Sequence, residues 1–254
     1  MQPADQMKEK TIDPGRYRVL AIDLDDTILD FRANAAWSIE KAFLIWNLDY
    51  SSQVLNTFME INEGFWERIE KGELSFEELR RIRWDTIFQA LEITDVDGQL
   101  FEDTFRKHLN ESHFLMPEAD QALRKLSEIY ELMIISNGAD QTQKSRIQKA
   151  GIEDLFFDIL SSEEAGYKKP DPRFFECMQQ RISDHTGKTE KEEILIIGDS
   201  LAADIQGARR SGYPCVWLCP ERLRHEKKNS STQFRADFEA ENWNELLSLL
   251  SGSD

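Results

Sequence analysis

The sequence predicts a doubly wound α/β fold, in which helices cover both faces of a parallel sheet, with an all-helical domain inserted after the first strand. Short apolar runs bounded by charged or turn residues recur along the chain. Stretches with helical periodicity separate the later runs, and this alternation is typical of a parallel sheet. Residues 33–116 show helical periodicity without any strand-like run, which indicates the insertion.

Unbroken apolarity along each short run is typical of strands that are buried on both faces. The predicted strands cover residues 18–24, 131–136, 156–160, 193–198 and 215–218. The predicted core helices cover residues 118–130, 140–150, 172–182 and 202–211. Gly151 and Gly212 directly follow two of these helices, where glycine commonly ends a helix.

Four amphipathic segments are predicted to form the inserted domain. They cover residues 34–48, 52–72, 75–93 and 96–114. Ser75 followed by Glu78 is the capping-box pattern that begins a helix. The predicted domains are an α/β core from residues 17–32 and 117–254 and a helical cap from residues 33–116. Residues 1–16 are predicted to form a polar tail and residues 222–231 a polar loop.

Composition excludes several classes of partner. The chain has 48 acidic and 31 basic residues, a formal net charge of −17, which argues against general binding of nucleic acid or of an anionic membrane. No run is long enough to cross a bilayer, and the amino-terminal segment lacks the apolar centre of a secretory signal. Three cysteines form a sparse, odd set, which suits reduced thiols. We therefore expect a cytoplasmic protein.

Acidic residues follow the first and fourth predicted strands. Asp23 and Asp25 end the first strand and, in an extended backbone, face the same side, while Asp199 and Asp204 follow the fourth strand. Parallel sheets place their sites at the carboxyl ends of the strands. Four carboxylates gathered there need a cation, and Mg²⁺ is the hard cation that takes a few carboxylates and then binds phosphate. The sequence therefore predicts a magnesium site that acts on a phosphate ester.

The other strand ends supply groups that suit a phosphate. Ser136, Asn137 and Gly138 offer a hydroxyl and loop amides after the second strand, and Lys168 and Lys169 follow the third. An aspartate can attack phosphorus to form an aspartyl-phosphate while a nearby carboxyl exchanges protons. A lysine and a serine hydroxyl can stabilise the equatorial phosphoryl oxygens.

The sequences DLDDT, SNG, KKPDP and GDSLAAD, in this order and each after a predicted strand, resemble the four motifs of the haloacid dehalogenase superfamily. The resemblance implies a Rossmann-like core with a helical cap of the C1 type. It implies that Asp23 is the nucleophile, that Asp25 is the general acid and base, and that Mg²⁺ is held by the carboxylates of Asp23 and Asp199 and the carbonyl of Asp25. Asp204 would support the metal shell.

The resemblance also implies that Ser136 binds the phosphoryl group and that Lys169 takes the lysine role of the third motif, with Lys168 the weaker candidate. Dehalogenases of the superfamily lack the second aspartate of the first motif, so Asp25 indicates a phosphatase or phosphomutase. The wider segments around these motifs are most similar to the pyrimidine 5′-nucleotidase and N-acylneuraminate-9-phosphatase branch.

This branch implies a Mg²⁺-dependent phosphomonoester hydrolase whose partner is a small phosphate ester, with nucleoside 5′-monophosphates first and other small phosphometabolites next. The alternatives are a sugar phosphatase or phosphomutase of the same fold, and an inactive phosphate-binding or scaffold protein. We expect a monomer or homodimer. An EF-hand calcium loop counted from Asp23 would need glycine where the chain has Ile28. Aromatic residues of the cap could stack on a base, but their helical spacing favours core packing.

Overall fold

The computed structural model describes residues 12–220 and 235–251, which are built around a parallel sheet of six strands. The strands are β1 Val19–Ile22, β2 Glu131–Ser136, β3 Asp158–Ser161, β4 Ile194–Gly198, β5 Cys215–Leu218 and β6 Phe238–Ala240. They lie in the order β3-β2-β1-β4-β5-β6, and each neighbouring pair is parallel. Because β2 and β4 flank β1, the carboxyl ends of these three strands lie side by side.

The helices of the described residues form two groups, one in the core and one in the insertion. The insertion contains α1 Phe31–Ile45, α2 Ser52–Glu70, α3 Phe76–Ala90 and α4 Gly98–Leu109. The core contains α5 Ala119–Ser127, α6 Asp140–Ala150, α7 Ser162–Ala165, α8 Pro172–Thr186, α9 Gln206–Ser211 and α10 Trp243–Ser251.

Both faces of the sheet are covered, because alternate residues of β1 belong to two different apolar clusters. Leu20 and Ile22 pack in the cluster that contains residues of α5, α6 and α10. Val19 and Ala21 pack in the cluster that contains residues of α8 and α9. All four residues of β1 are fully buried, as expected for a central strand of a parallel sheet. The predicted doubly wound α/β fold is confirmed.

Several local details differ from the sequence prediction. The short strand β6 was not predicted, since three residues with one buried position give almost no apolar pattern. The third strand begins at Asp158, later than predicted, and a turn of 3-10 helix at residues 153–155 precedes it. A π-helical turn, Leu201–Ile205, precedes α9. The predicted loop 222–231 and residues 1–11 of the predicted tail lie outside the described residues.

The insertion has an apolar core of its own. Its centre is a cluster of buried aromatic side chains, namely Phe43, Phe58, Trp84, Phe88, Phe101 and Phe105. Buried Arg83 on α3 donates hydrogen bonds to both carboxylate oxygens of Glu102 on α4, at 3.0 and 2.5 Å. The predicted capping box of Ser75 and Glu78 is present at the start of α3. This packing explains most of the aromatic residues of the insertion.

Two chain segments connect the insertion to the core, and one buried side chain ties them together. Asn34 donates from its amide to the carbonyls of Asp30 and Phe114, at 2.7 and 2.8 Å, and accepts from the Phe114 N–H at 2.9 Å. The Met116 N–H also donates to the carbonyl of Ile28 at 2.8 Å. The outgoing and returning segments are therefore fixed to each other beside the end of β1.

Candidate active site

Three carboxylates meet at the carboxyl edge of the sheet. Asp23 directly follows β1, Asp199 directly follows β4, and Asp204 lies in the π-helical turn that comes next. One ligand atom of each lies within 4.8 Å of the others. Asp23 and Asp204 are buried and Asp199 is half-buried. The structure thus brings together three of the four predicted acidic residues.

Lys169 lies in the middle of this acidic cluster. Its ammonium group is 2.6 Å from Asp23 Oδ1 and 2.7 Å from Asp204 Oδ1, and it donates to the carbonyl of Ile135 at 2.9 Å. The ammonium group therefore donates hydrogen bonds to Asp23 and Ile135 and forms an ion pair with Asp204. The neighbouring Lys168 instead donates to the carbonyl of Ile69 in α2. Of the two lysines that the sequence offered, the structure places Lys169 at the carboxylates.

Burial and charge act against each other in this cluster. Burial raises the pKa of Asp23 well above its ordinary value, although the positive charge of Lys169 opposes the shift. Burial likewise raises the pKa of Asp204. Burial would lower the pKa of Lys169, but the charges of Asp204 and Asp23 outweigh it and raise that pKa. Three acidic groups around one lysine leave an excess of negative charge that favours a bound cation.

Backbone packing brings Asp199 and Asp204 close to Asp23. A Cβ atom on Gly198 would lie 2.3 Å from Asp204 Oδ2, so only glycine leaves room for this carboxylate beside β4. Asp204 Oδ2 also accepts from the Ser200 N–H at 3.1 Å. The indole of Trp217 on β5 donates to the carbonyl of Asp199 at 2.8 Å. The neighbouring strand thereby fixes the loop that carries Asp199.

The residues after β2 have separate tasks. The side chain of Asn137 accepts from the backbone N–H of Lys169 at 2.8 Å and donates to its carbonyl at 2.9 Å. It therefore holds the lysine loop in place. The Gly138 N–H donates to the hydroxyl oxygen of Ser136 at 3.0 Å. Ser136 is the last residue of β2, the strand that pairs with β1.

Asp25 is not part of the carboxylate cluster; its side chain is held by α6. Gln143 Nε2 donates to Asp25 Oδ2 at 2.7 Å, and Arg146 donates to Asp25 Oδ1 at 2.7 Å. Neither helix residue was identified from the sequence. Ile147 is the one apolar residue on α6 that is fully buried, so polar side chains must fill the rest of its buried face. In the sequence, this shortage of apolar residues on a predicted core helix was the signal that could have identified Gln143 and Arg146.

A pocket opens between Asp25 and the helical insertion. Gly138, Gln143 and Arg146 line it on the core side, together with Asp25. On the other side it is lined by the aromatic pair Trp66 and Phe76, whose ring centroids are 5.0 Å apart, and by arginines of α3 and α4. Burial, followed by the charge of Arg80, lowers the pKa of Arg106 on this wall. The pocket therefore combines flat apolar surface with hydrogen-bond donors.

The donor set of the carboxylate cluster fits a magnesium ion. Hard oxygen donors that approach one another this closely are the ligands Mg²⁺ prefers. Asp204 already pairs with Lys169 through Oδ1 and accepts from Ser200 through Oδ2. Both oxygens of Asp204 are therefore engaged within the protein, which suits a role in supporting the site. Among residues 12–220 and 235–251, no helix has the length and apolarity needed to cross a membrane.

A parallel α/β sheet with acidic strand ends and an inserted helical domain characterises one class of hydrolase. Residues 17–212 match the haloacid dehalogenase-like hydrolase family, and the chain belongs to that family. It is 34% identical over 206 residues to the HAD-hydrolase YfnB of Bacillus subtilis, covering 81% of this chain and 86% of YfnB. The family resemblance predicted from the four motifs is confirmed.

Two further relatives are pyrimidine 5′-nucleotidases. PynA of Streptococcus pneumoniae is 28% identical over 235 residues, which are 92% of this chain and 95% of PynA. YjjG of Escherichia coli is 24% identical over 196 residues, which are 77% of this chain and 83% of YjjG. These matches confirm the resemblance to the nucleotidase branch.

Solved structures agree with the fold. The crystal structure of Bacillus subtilis YfnB bound to magnesium has a TM-score of 0.83 and 31% identity, and the match covers 93% of this chain and 99% of that chain. The L-2-haloacid dehalogenase Rha0230 has a TM-score of 0.72 at 18% identity, and the match covers 93% of this chain and 96% of that chain. At this identity the second likeness concerns the fold alone.

Proposed function

We propose that the protein is a Mg²⁺-dependent phosphomonoester hydrolase that works through an aspartyl-phosphate. The observation that carries this proposal is the cluster of Asp23, Asp199 and Asp204 around the buried ammonium group of Lys169. A buried carboxylate in such a cluster can act as a nucleophile once its charge is balanced. The phosphatase and nucleotidase names among the relatives support the same class of reaction.

The residues at the strand ends divide the chemistry between them. An oxygen of Asp23 forms a bond to phosphorus, the ester P–O bond breaks, and Asp25 gives its proton to the leaving oxygen. Asp25 then takes a proton from the water that attacks the aspartyl-phosphate, and inorganic phosphate leaves. Ser136 donates to a phosphoryl oxygen, with the loop of Asn137 and Gly138 beside it. Lys169 places positive charge at the attacking carboxylate.

Magnesium would be held by the carboxylates of Asp23 and Asp199 and by the backbone carbonyl of Asp25. Asp204 would support this shell by holding Lys169. When bound, the ion would offset the repulsion between a phosphate dianion and the carboxylates. The magnesium named for the YfnB crystal structure supports this choice of metal.

The preferred substrate class is nucleoside 5′-monophosphates, followed by sugar phosphates. The pocket beside Asp25 supports this order, since Trp66 and Phe76 offer a surface for a base and Arg80 and Arg106 offer donors to its oxygens. The names of the pyrimidine 5′-nucleotidases PynA and YjjG point the same way. We further propose that residues 33–116 act as a cap that closes over the site and excludes water from the first step.

The three cysteines of the chain, Cys177, Cys215 and Cys219, are all free thiols in the structure. This supports the proposed cytoplasmic location. We propose a monomer or homodimer as the working form.

The alternative functions differ in what happens to the phosphate. A phosphomutase would transfer phosphate to a sugar instead of releasing it, and an inactive scaffold would do neither.

The deciding experiment measures inorganic phosphate released from a panel of nucleotides and sugar phosphates, with and without Mg²⁺. We expect release that needs Mg²⁺ and that is lost in Asp23→Asn, with the circular dichroism spectrum of the variant unchanged. Hydrolysis by Asp23→Asn as fast as by the parent would show that another residue is the nucleophile. Hydrolysis confined to sugar phosphates would refute the preference for nucleotides.

A further inference from the structure

Two buried polar side chains of α6 connect the proposed acid and the proposed phosphoryl ligand. Gln143 and Arg146 are each 1% exposed. Gln143 Nε2 is 2.7 Å from Asp25 Oδ2 and 2.9 Å from Ser136 Oγ. Arg146 Nη1 is 2.7 Å from Asp25 Oδ1 and 3.1 Å from Gln143 Oε1. The four side chains form one connected network at the ends of β1 and β2.

Charge fixes the orientation of the Gln143 amide. Its oxygen faces the guanidinium group of Arg146, and its nitrogen faces the carboxylate of Asp25. The reverse orientation would set oxygen against a carboxylate and N–H against a guanidinium, which is unfavourable on both sides. The two hydrogens of the amide are therefore directed at Asp25 and Ser136.

This orientation determines what the hydroxyl of Ser136 can do. Its oxygen accepts from Gln143 at 2.9 Å and from the Gly138 N–H at 3.0 Å. A serine hydroxyl has two acceptor lone pairs and one donor hydrogen. Because both lone pairs are occupied, the hydrogen points away from these partners and remains to be donated. A phosphoryl oxygen, which only accepts, is the complementary ligand.

Gln143 and Arg146 hold Asp25 but use only part of the hydrogen-bonding capacity of its carboxyl oxygens. Each of its carboxyl oxygens accepts one hydrogen bond from α6, at 2.7 Å in both cases. Since a carboxyl oxygen has two lone pairs, one remains on each for the proton that is exchanged. Gly138 makes the arrangement possible, because a Cβ atom there would lie 1.9 Å from Gln143 Nε2.

We propose that Gln143 and Arg146 are positioning residues, which fix Asp25 for proton transfer to the leaving oxygen and fix Ser136 as a hydrogen-bond donor to the phosphoryl group. This inference rests on the proposed function. In the first step Asp23 bonds to phosphorus, the ester bond breaks and the proton of Asp25 moves to the leaving oxygen. A misplaced Asp25 then matters most when the leaving group is a poor one.

The test compares kcat/KM for two substrates in the full-length protein with Mg²⁺. Uridine 5′-monophosphate has an alkoxide leaving group that needs the proton, whereas p-nitrophenolate leaves without it. General acid catalysis contributes about 10²–10⁴-fold. We expect Gln143→Leu and Arg146→Gln to lower kcat/KM for the nucleotide at least about tenfold more than for p-nitrophenyl phosphate, in the direction of Asp25→Asn. Arg146→Lys, which keeps a charged donor, should restore part of the difference.

Gln148→Leu is the matched control, because Gln148 lies on the same helix but is exposed. It should leave the ratio of the two kcat/KM values unchanged.

If Gln143→Leu or Arg146→Gln fails to fold, the same comparison is made with Gln143→Glu, which keeps the shape of the side chain but has no amide donors. Equal loss for both substrates would mean that the network is only structural and would overturn the inference. A parent protein that releases phosphate from neither substrate, nor from the wider panel of nucleotides and sugar phosphates, would overturn the proposed function and, with it, this inference.

Discussion

Replacing Lys169 by methionine removes a buried cation while keeping most of the volume of the side chain. The Lys169 side chain is 1% exposed, and its ammonium group lies 2.6 Å from Asp23 and 2.7 Å from Asp204. Breaking a buried ion pair by removing one partner typically costs about 3–5 kcal/mol. The Asp23 side chain is 11% exposed and can regain some hydration. We therefore expect the free energy of unfolding to fall by about 3 kcal/mol, the lower end of that range.

The loss should increase with pH. Burial raises the pKa of Asp23 and of Asp204 above their ordinary values, so the folded state binds protons more readily than the unfolded state. A group of this kind contributes stability below its unfolded pKa and loses that contribution as the pH rises through its folded pKa. Without Lys169, the largest influence that lowers the pKa of these two buried carboxyls is lost. Protonation of Asp23 and Asp204 at low pH should therefore reduce the loss of stability caused by Lys169→Met.

The assay is urea denaturation of metal-free protein, followed by circular dichroism at about pH 5 and about pH 8. Lys168→Met is the control, because it removes a half-buried hydrogen bond to a carbonyl and should cost only about 1 kcal/mol. Adding Mg²⁺ should return part of the lost stability, since the ion would neutralise the same carboxylates. A loss under about 1 kcal/mol, or an equal loss at both pH values, would refute this account of the cluster.

Two other predictions concern the same carboxylates. Gly198→Ala would place a Cβ atom 2.3 Å from Asp204 Oδ2, so we expect a loss of about 1–3 kcal/mol in unfolding free energy together with most of the phosphatase activity. An alanine variant that retains the parent's melting temperature and rate would contradict the close approach. The affinity for Mg²⁺ should rise with pH, because the pKa of Asp23 and of Asp204 is raised in the metal-free protein and the metal must displace protons. Isothermal titration calorimetry between about pH 5.5 and pH 8 measures this, and a constant affinity would argue against the proposed ligands.

Much of the fold follows from the sequence, because its signals are local. Each central strand is a short run of apolar residues between polar ones, and parallel packing buries both faces of such a run. The sequence could predict that the acidic ends of β1 and β4 lie close together, since the carboxyl ends of parallel strands share one edge of the sheet. The short β6 could not be predicted, because its pairing with β5 depends on a neighbour and not on its own three residues.

Within the site, the sequence determined which residue types gather at the edge of the sheet, and the tertiary structure decided which of them touch. The family resemblance favoured Lys169 over Lys168, but the residues alone left both lysines open. In the structure, Asn137 holds the backbone of Lys169, whose ammonium group lies in the cluster, whereas Lys168 donates to a carbonyl of α2. Gln143 and Arg146 carry no motif, because Asp25, the partner they share, lies more than a hundred residues away in the chain. Chemistry that depends on the direction of a side chain is set by packing between distant segments, and a local pattern does not contain that information.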